Sequence, residues 1–450
     1  MSDLEERARR VEAEILADVE QMAPALVVSA PPGAGKSRLV VAIAGRALQL
    51  DQSVVVSAPT RSQVAELAVR LRDAGHDVLF YGASGYVLPA ACLARGVGLT
   101  ARGEVAAQAL AGGCVVVATV AKLAATGHID GKVDLLVIDE AWQVPDYVGL
   151  RLGGVATRLC LVGDPGQIPP VVATRIDRFA SLPAGPQVAF PAALVERWPE
   201  SVALHRLVAS RRVPPETAAV LTTIFYPEHD FGSLAPPSRL AVDPTAHCST
   251  ALELLGGGAS LVLGLVGSKE GGGSRGTLEE RIAQAIADLT SEILRARPSR
   301  VEHGAGGGAD AVALEERSIG VVCGHIRQVA AVDAELVARG VRGVRVETAE
   351  RWQGLEREIM IAWHPAGTDD DPSSFGVEAG RLCVMASRHK LACVVVAPSD
   401  VERRVLDVAR GGRSLAGRDE AYDGALANLA LIDELVRRGL VVELVEGRAR

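Results

Sequence analysis

One octapeptide constrains this chain more than any other feature. Ala30-Pro-Pro-Gly-Ala-Gly-Lys-Ser37 follows an apolar, strand-like run, Leu26–Ser29, and precedes a helical stretch, Arg38–Leu48. It fits the pattern G-x-x-x-x-G-K-[ST], with Ala30 at the first glycine position. Through Pro32, Gly33, Ala34 and Gly35 the backbone amides can curl around phosphate oxygens, and the helix start behind them favours negative charge. Lys36 is placed to neutralise β- and γ-phosphates, and the Ser37 hydroxyl to bind Mg²⁺. ATP and Mg²⁺ are therefore the expected ligands. A strand–loop–helix of this kind belongs in an α/β fold.

The expected partner of that loop is Leu135-Leu-Val-Ile-Asp-Glu140, an apolar strand ending in two adjacent carboxylates. Asp139 is suited to hold the metal and Glu140 to polarise an attacking water. Other short apolar runs, Val54–Ser57, Val78–Tyr81, Cys114–Ala118 and Leu159–Val162, alternate with helical stretches up to about residue 245. Continuous apolar runs between helices predict a parallel sheet covered on both faces. A Gly- and Ala-rich stretch, about 82–113, reads as a short insertion. A second alternating series follows: Ser260–Val266, the helix Leu278–Ala296, Ile319–Cys323, Val344–Val346, Ile359–Trp363 and Cys393–Ala397. Glu270–Gly276 and the glycine-rich VEHGAGGGADAV read as flexible connections. Two domains are expected, 1–245 and 246–450, the second ending in a helix from about Asp419. A chain of 450 residues, 48% hydrophobic, can fill two cores of ordinary size.

Further segments occur in a fixed order: Ala58-Pro-Thr-Arg61, Asp139-Glu-Ala-Trp142, Val162-Gly-Asp-Pro-Gly-Gln-Ile-Pro-Pro170, Leu207-Val-Ala-Ser-Arg-Arg-Val-Pro-Pro-Glu216, Ile319-Gly-Val-Val-Cys-Gly-His-Ile-Arg-Gln328, Thr348-Ala-Glu-Arg-Trp-Gln-Gly-Leu-Glu356 and Arg381-Leu-Cys-Val-Met-Ala-Ser-Arg-His-Lys390. The set, spanning about Leu26 to Ala397, resembles the motifs of superfamily 1 helicases. Pro-Pro after the Gly-Asp-Pro-Gly-Gln segment, and Trp-Gln-Gly-x-Glu, look like the RecD-like and nonsense-decay-type branch, whose members generally move 5′→3′. The resemblance implies two tandem RecA-like P-loop domains with parallel sheets that hydrolyse ATP between them while moving along nucleic acid. It makes Gln167 a γ-phosphate sensor, Arg212 and Arg388 arginine fingers, and Gly354 and Glu356 links between nucleotide and strand. Thr60, Arg61, Thr119 and Thr348 offer hydroxyl or cationic groups to strand phosphates, although each threonine suits a helix N-cap equally well. Trp352 suits the core, and His325 and Gln328 suit structural roles.

The sequence departs from that family in two places. The glutamine usually found about sixteen residues before the loop is missing there; the position falls near Ala13, and the nearest glutamine is Gln21. His389 stands where alanine is usual, and Met385-Ala386 replaces the common pair. A net charge of −8 argues against a protein that coats nucleic acid indiscriminately, though not against one whose basic contacts lie in a single cleft, and 3% aromatic residues leave few side chains for base stacking. An Ala/Val/Arg/Gly-rich composition favours DNA over RNA as the single-stranded partner. An ATP-gated switch that recruits a protein partner without unwinding is the alternative. Cys92, Cys114, Cys160, Cys248, Cys323, Cys383 and Cys393 form no C-x-x-C pair, so buried thiols are expected and zinc is not. The charged amphipathic N-terminus reads as a surface helix, and no apolar run reaches the roughly 18 residues of a membrane span, so a cytoplasmic protein is expected.

Overall fold

A computed structural model of the protein describes residues 2–127, 129, 132–172, 185, 187–243, 249–267, 276–303, 309–366, 374–411 and 420–444. Cys248 and most of the two glycine-rich connections lie outside these residues. The chain forms two compact units: Met1–Pro165 with Pro169–Ala209, and Gly166–Ile168 with Ser210–Arg450.

In the first unit eight strands form one sheet: β1 (Ala25–Ser29), β2 (Val54–Ala58), β3 (Val78–Tyr81), β4 (Gly98–Thr100), β5 (Val115–Thr119), β6 (Val133–Ile138), β7 (Ala156–Gly163) and β8 (Val202–Arg206). Their order is β4-β3-β5-β2-β6-β7-β1-β8, with every neighbouring pair parallel. Alternate residues of a strand face opposite ways. Leu26 and Val28 therefore join one core with Val40 and Ile43 of the following helix, while Ala25 and Val27 join the other with Leu136, Ile138 and Leu161. Both faces of β1 are buried, which explains its unbroken apolar text.

Two expectations change here. The N-terminal helix, Asp3–Glu20, is a structural element as well as a surface one, because Ile15 and Val19 are fully buried in the sheet's core. The 82–113 stretch is part of the sheet's edge: it supplies β4, and its Leu88, Cys92 and Val97 enter the same core.

The second unit carries a six-stranded sheet: β9 (Leu261–Val266), β10 (Ile319–Cys323), β11 (Arg345–Thr348), β12 (Arg357–Trp363), β13 (His389–Pro398) and β14 (Val441–Glu443). The order is β11-β10-β12-β13-β9-β14, again parallel throughout. The α/β class and the large parallel sheets expected of RecA-like P-loop domains are both present. The division falls at Ala209–Ser210 rather than near residue 245. Its cause is apolar: Val213, Ala218, Val220 and Leu221, in and before the helix Pro215–Phe225, bury their side chains with Leu263, Trp352 and Val395. The C-terminal helix, Glu420–Arg437, seats Ala425, Leu431 and Leu435 in that core and leads into β14 at the sheet's edge. Ser299–His303 and Ala309–Ala313 pair antiparallel outside the main sheet, so β structure flanks the glycine-rich text there. Among the described residues no helix is long and apolar enough to cross a membrane.

Candidate nucleotide site and strand edge

Strands β6, β7 and β1 lie side by side in the first unit, so three chain segments leave the sheet together at its carboxyl edge. Crevices at such edges are where open α/β sheets bind ligands. The loop after β1 turns at Gly33 and Gly35, with φ +74° and +86°, conformations that glycine adopts without steric cost. The helix Lys36–Gln49 starts directly from Gly35, and no side chain caps it. Its first amides are therefore left to an anion.

Four expected residues converge on this loop. The Ser37 hydroxyl donates to Asp139 Oδ2 at 2.9 Å. Lys36 Nζ stands 4.0 Å from Glu140 Oε1 and 3.5 Å from Asp164 Oδ2. Asp164 follows β7 and is 2% exposed. Asp164 belongs to the Val162–Pro170 segment but is not among the candidates the sequence names; its place directly after the apolar run Leu159–Val162 is the one local signal for it. Burial, then the neighbouring Glu140 carboxylate, pushes the Asp139 acid up to about 7 against the pull of Lys36 and Ser37. Three carboxylates around one ammonium are short of positive charge. With the hard oxygens of Ser37 and Asp139 adjacent, that is a good fit for Mg²⁺. Among the described residues no group of three or more His, Cys, Asp or Glu is placed to hold a metal. An ion at Ser37 and Asp139 would complete its shell from phosphate and water oxygens, as Mg²⁺ commonly does.

The turn after β6 is tightly built. Glu140 has φ +54°, a left-handed conformation costly for a non-glycine residue, and its N–H donates to Asp139 Oδ1 at 2.9 Å. Gln143, also missed from sequence, donates its amide to Glu140 Oε2 at 3.3 Å. A Cβ on Gly163 would lie 2.8 Å from the Trp142 ring and 2.9 Å from Ala141 N, so only glycine lets β7 pass this close.

The strand-contact candidates divide. Thr60 and Thr119 sit at the same carboxyl edge, since β2 and β5 are neighbours and Ala58 pairs with Thr119. Both serve as N-caps: Thr60 within a capping box with Gln63, and Thr119 accepting from Lys122 N at 3.2 Å. Arg61 is exposed, its guanidinium 5.3 Å from the Tyr86 ring. Thr348 starts the short helix Ala349–Trp352 in the second unit.

The second unit arranges its own candidates around Glu356. Arg212 Nη1 is 3.5 Å from Glu356 Oε2 and Lys390 Nζ is 2.8 Å from Oε1. Burial raises the Glu356 acid, but the Lys390 hydrogen bond and the Arg212 charge outweigh it and hold the group below the usual carboxylate range. Gly354, φ +77°, makes the turn before it. Arg388 is 2% exposed, with Nε donating to Val384 O at 3.2 Å. Gln167 is buried in a segment that belongs to this unit: Ile168 joins its core, and a Cβ on Gly380 would lie 2.4 Å from the Gln167 carbonyl oxygen. Trp352 is core, its indole N–H donating to Val321 O at 2.8 Å. His325 stacks on Phe375 at 4.8 Å. Gln21, the nearest substitute for an adenine-reading glutamine, is exposed at the C-cap of the first helix.

Residues 14–173 match the family model described as an AAA domain. The match takes in the phosphate loop, both motif carboxylates and Asp164, but less than half of the chain. No curated protein matches the sequence. Among solved structures, the chain is similar to arterivirus nonstructural protein 10 (helicase) with DNA, at 14% identity and TM-score 0.43, covering 85% of this chain and 63% of that one. It is similar to the same arterivirus helicase in another crystal structure, at 13% and 0.44, covering 86% and 63%. The PRRSV helicase follows at 13% and 0.40, covering 85% and 54%. The chain thus spans less than two thirds of each of these proteins.

Proposed function

We propose that this chain is an ATP-dependent nucleic-acid translocase or helicase, moving 5′→3′ on single-stranded DNA. The observation that carries the reading is the meeting of Lys36, Ser37, Asp139, Glu140 and Asp164 at one sheet edge, in front of an uncapped helix. Lys36 and the loop amides of Pro32–Ser37 hold the triphosphate, and Lys36 exchanges its carboxylate partners for phosphate oxygens. Ser37 and Asp139 hold Mg²⁺, which when bound neutralises charge on the phosphates. Glu140 orients the attacking water.

The second unit contributes Gln167 as the γ-phosphate sensor and Arg212 and Arg388 as cations for the developing charge. An arginine in that role is worth roughly 10³–10⁵ in rate. Gly354 and Glu356 tie that contribution to Thr348, so closure of the units on ATP becomes movement along a strand held at Thr60, Arg61, Thr119 and Thr348. The motif order and the Pro-Pro and Trp-Gln-Gly-x-Glu signatures support the polarity.

The deciding experiment is ATPase activity with poly-dT, with poly-U and without a strand, at several salt concentrations. Stimulation by poly-dT that weakens with salt is the expected result. Hydrolysis that no strand stimulates would instead make the chain an ATP-gated switch acting on a protein partner.

A further inference from the structure

A cavity of about 520 Å³ opens in the first unit beside the nucleotide site, lined among others by Pro59, Ala121, Ala125, Gln143, Tyr147 and Arg151. Its size is within the roughly 300–1,000 Å³ of small-molecule pockets. Pro59 follows β2, Ala121 and Ala125 lie on the helix Val120–Thr126 after β5, and Gln143 ends the turn after β6. Since β5, β2 and β6 are consecutive in the sheet, the cavity sits over that carboxyl edge, between Thr60 and Thr119 on one side and Glu140 on the other.

We propose that this cavity takes a base of the bound single strand, and that Gln143 reports its arrival to Glu140. The proposal rests on the strand-stimulated hydrolysis argued above. The chemistry of the lining fits a nucleobase. Pro59, Ala121 and Ala125 give apolar walls, Tyr147, 44% exposed, gives a ring for stacking, and Gln143 and Arg151 give hydrogen-bonding groups. Arg61, two residues past Pro59, and Lys122, next to Ala121, are the nearest cations along the chain, their charged groups 5.3 Å from the Tyr86 ring and 4.2 Å from the Tyr81 ring. The wall bearing Tyr147 is held firmly. Asp146 is 3% exposed and takes a two-pronged ion pair from Arg197, at 2.7 and 2.5 Å. Gly149 lies so close to Phe190 that a Cβ would stand 2.1 Å from the ring.

Gln143 is the one lining residue with a hand in both sites. Its amide donates to Glu140 Oε2 while the other Glu140 oxygen faces Lys36 at 4.0 Å. In that arrangement the Gln143 hydrogen bond occupies one Glu140 oxygen and fixes where the carboxylate points, while Lys36 attracts the other oxygen from beyond hydrogen-bond distance. A base edge that draws the Gln143 amide into the cavity releases Glu140. Gln143 is thus a positioning residue that makes hydrolysis depend on an occupied strand.

The test compares ATPase stimulation of the full chain by oligo-dT and by an abasic oligonucleotide of equal length, which keeps the phosphates and lacks the bases. Base–aromatic contact predicts about ten-fold weaker half-saturation by the abasic strand. It also predicts that Gln143→Leu raises hydrolysis without a strand and narrows the ratio between the two oligonucleotides, a change that mere loosening of the fold would not make. Ala125→Trp, filling the cavity, should make the two strands equivalent. Equal stimulation of the unaltered protein by both strands would overturn the inference and leave the motor standing; no stimulation by either would overturn both.

Discussion

Both units place a helix after a buried strand of a parallel sheet, but they finish the junction differently. In the first, the helix Lys36–Gln49 leaves Gly35 with no side chain on its opening amides. In the second, the helix Ile326–Ala338 after β10 is closed by its own residues: Gln328 Oε1 accepts from Gly324 N and His325 N, both at 3.0 Å. Uncapped helix starts cost stability unless something fills them. The first junction is thus left for a ligand and the second is completed by the fold. The same contrast runs through the polar groups. Lys36 has two carboxylates within 4.0 Å, Glu140 and Asp164, that a triphosphate can displace, whereas the second unit links Ser260 Oγ, Thr217 Oγ1 and His389 Nε2 to one another in one buried chain of hydrogen bonds.

The largest effect should come from removing the charge that the open junction was built around. Lys36→Ala is expected to reduce ATP turnover to background while circular dichroism and the thermal midpoint stay near those of the unaltered protein. Normal hydrolysis by that variant would end the nucleotide assignment. Next is Arg388→Ala. If the second unit supplies a cation to the reaction, turnover should fall about a thousand-fold, while a fluorescent ATP analogue still binds. Near-normal turnover would remove Arg388 from the chemistry and leave the second unit as scaffold alone.

How much of this was legible in the text depended on how local the signal was. The phosphate loop and Asp139-Glu140 could be read because a glycine pattern and a carboxylate pair follow apolar runs within a few residues. Strand positions were legible for the same reason: burial on both faces writes a continuous apolar stretch, as at Val54–Ala58. Asp164 was not singled out because its value depends on β7 lying beside β1, which no local pattern records. Gln143 was missed for a similar reason, since only the left-handed turn at Glu140 brings its amide back to the carboxylate. The expected bounds of 1–245 and 246–450 place residues 215–225 in the first domain, because no local pattern states which sheet a segment packs against.

His389, unusual for its motif, sharpens the comparison through pH. Ser260 Oγ donates to Glu216, so Thr217 must donate to Ser260 and accept from His389 Nε2 at 2.9 Å. That fixes the neutral tautomer with its proton on Nε2. Burial, reinforced by Arg212, pushes the His389 imidazolium down to about 3, and burial pushes His364 down to about 4. Both ordinarily titrate near 6.5. Above that pH neither folded nor unfolded chain binds these protons. As pH falls below it, the unfolded chain takes them up first, so stability drops through the window from 6.5 to about 3, by at most about 1.4 kcal/mol per pH unit for each histidine. His389→Gln keeps a donor for Thr217 and removes one titration. Its loss of urea midpoint between pH 7 and pH 5 should be smaller than that of the unaltered protein; an equal loss would mean that His389 does not titrate in this way.

The smallest effect tests the closed junction itself. Gln328→Ala strips the partner from two backbone donors at the start of the helix Ile326–Ala338, a cap whose loss costs about 1 kcal/mol. Turnover at saturating ATP should stay within about two-fold, because the residue completes a fold rather than a site, while the denaturation midpoint falls measurably. The reverse pattern, unchanged stability with lost turnover, would show that the second junction is also open to a ligand. The two units would then differ in what they bind rather than in whether they bind.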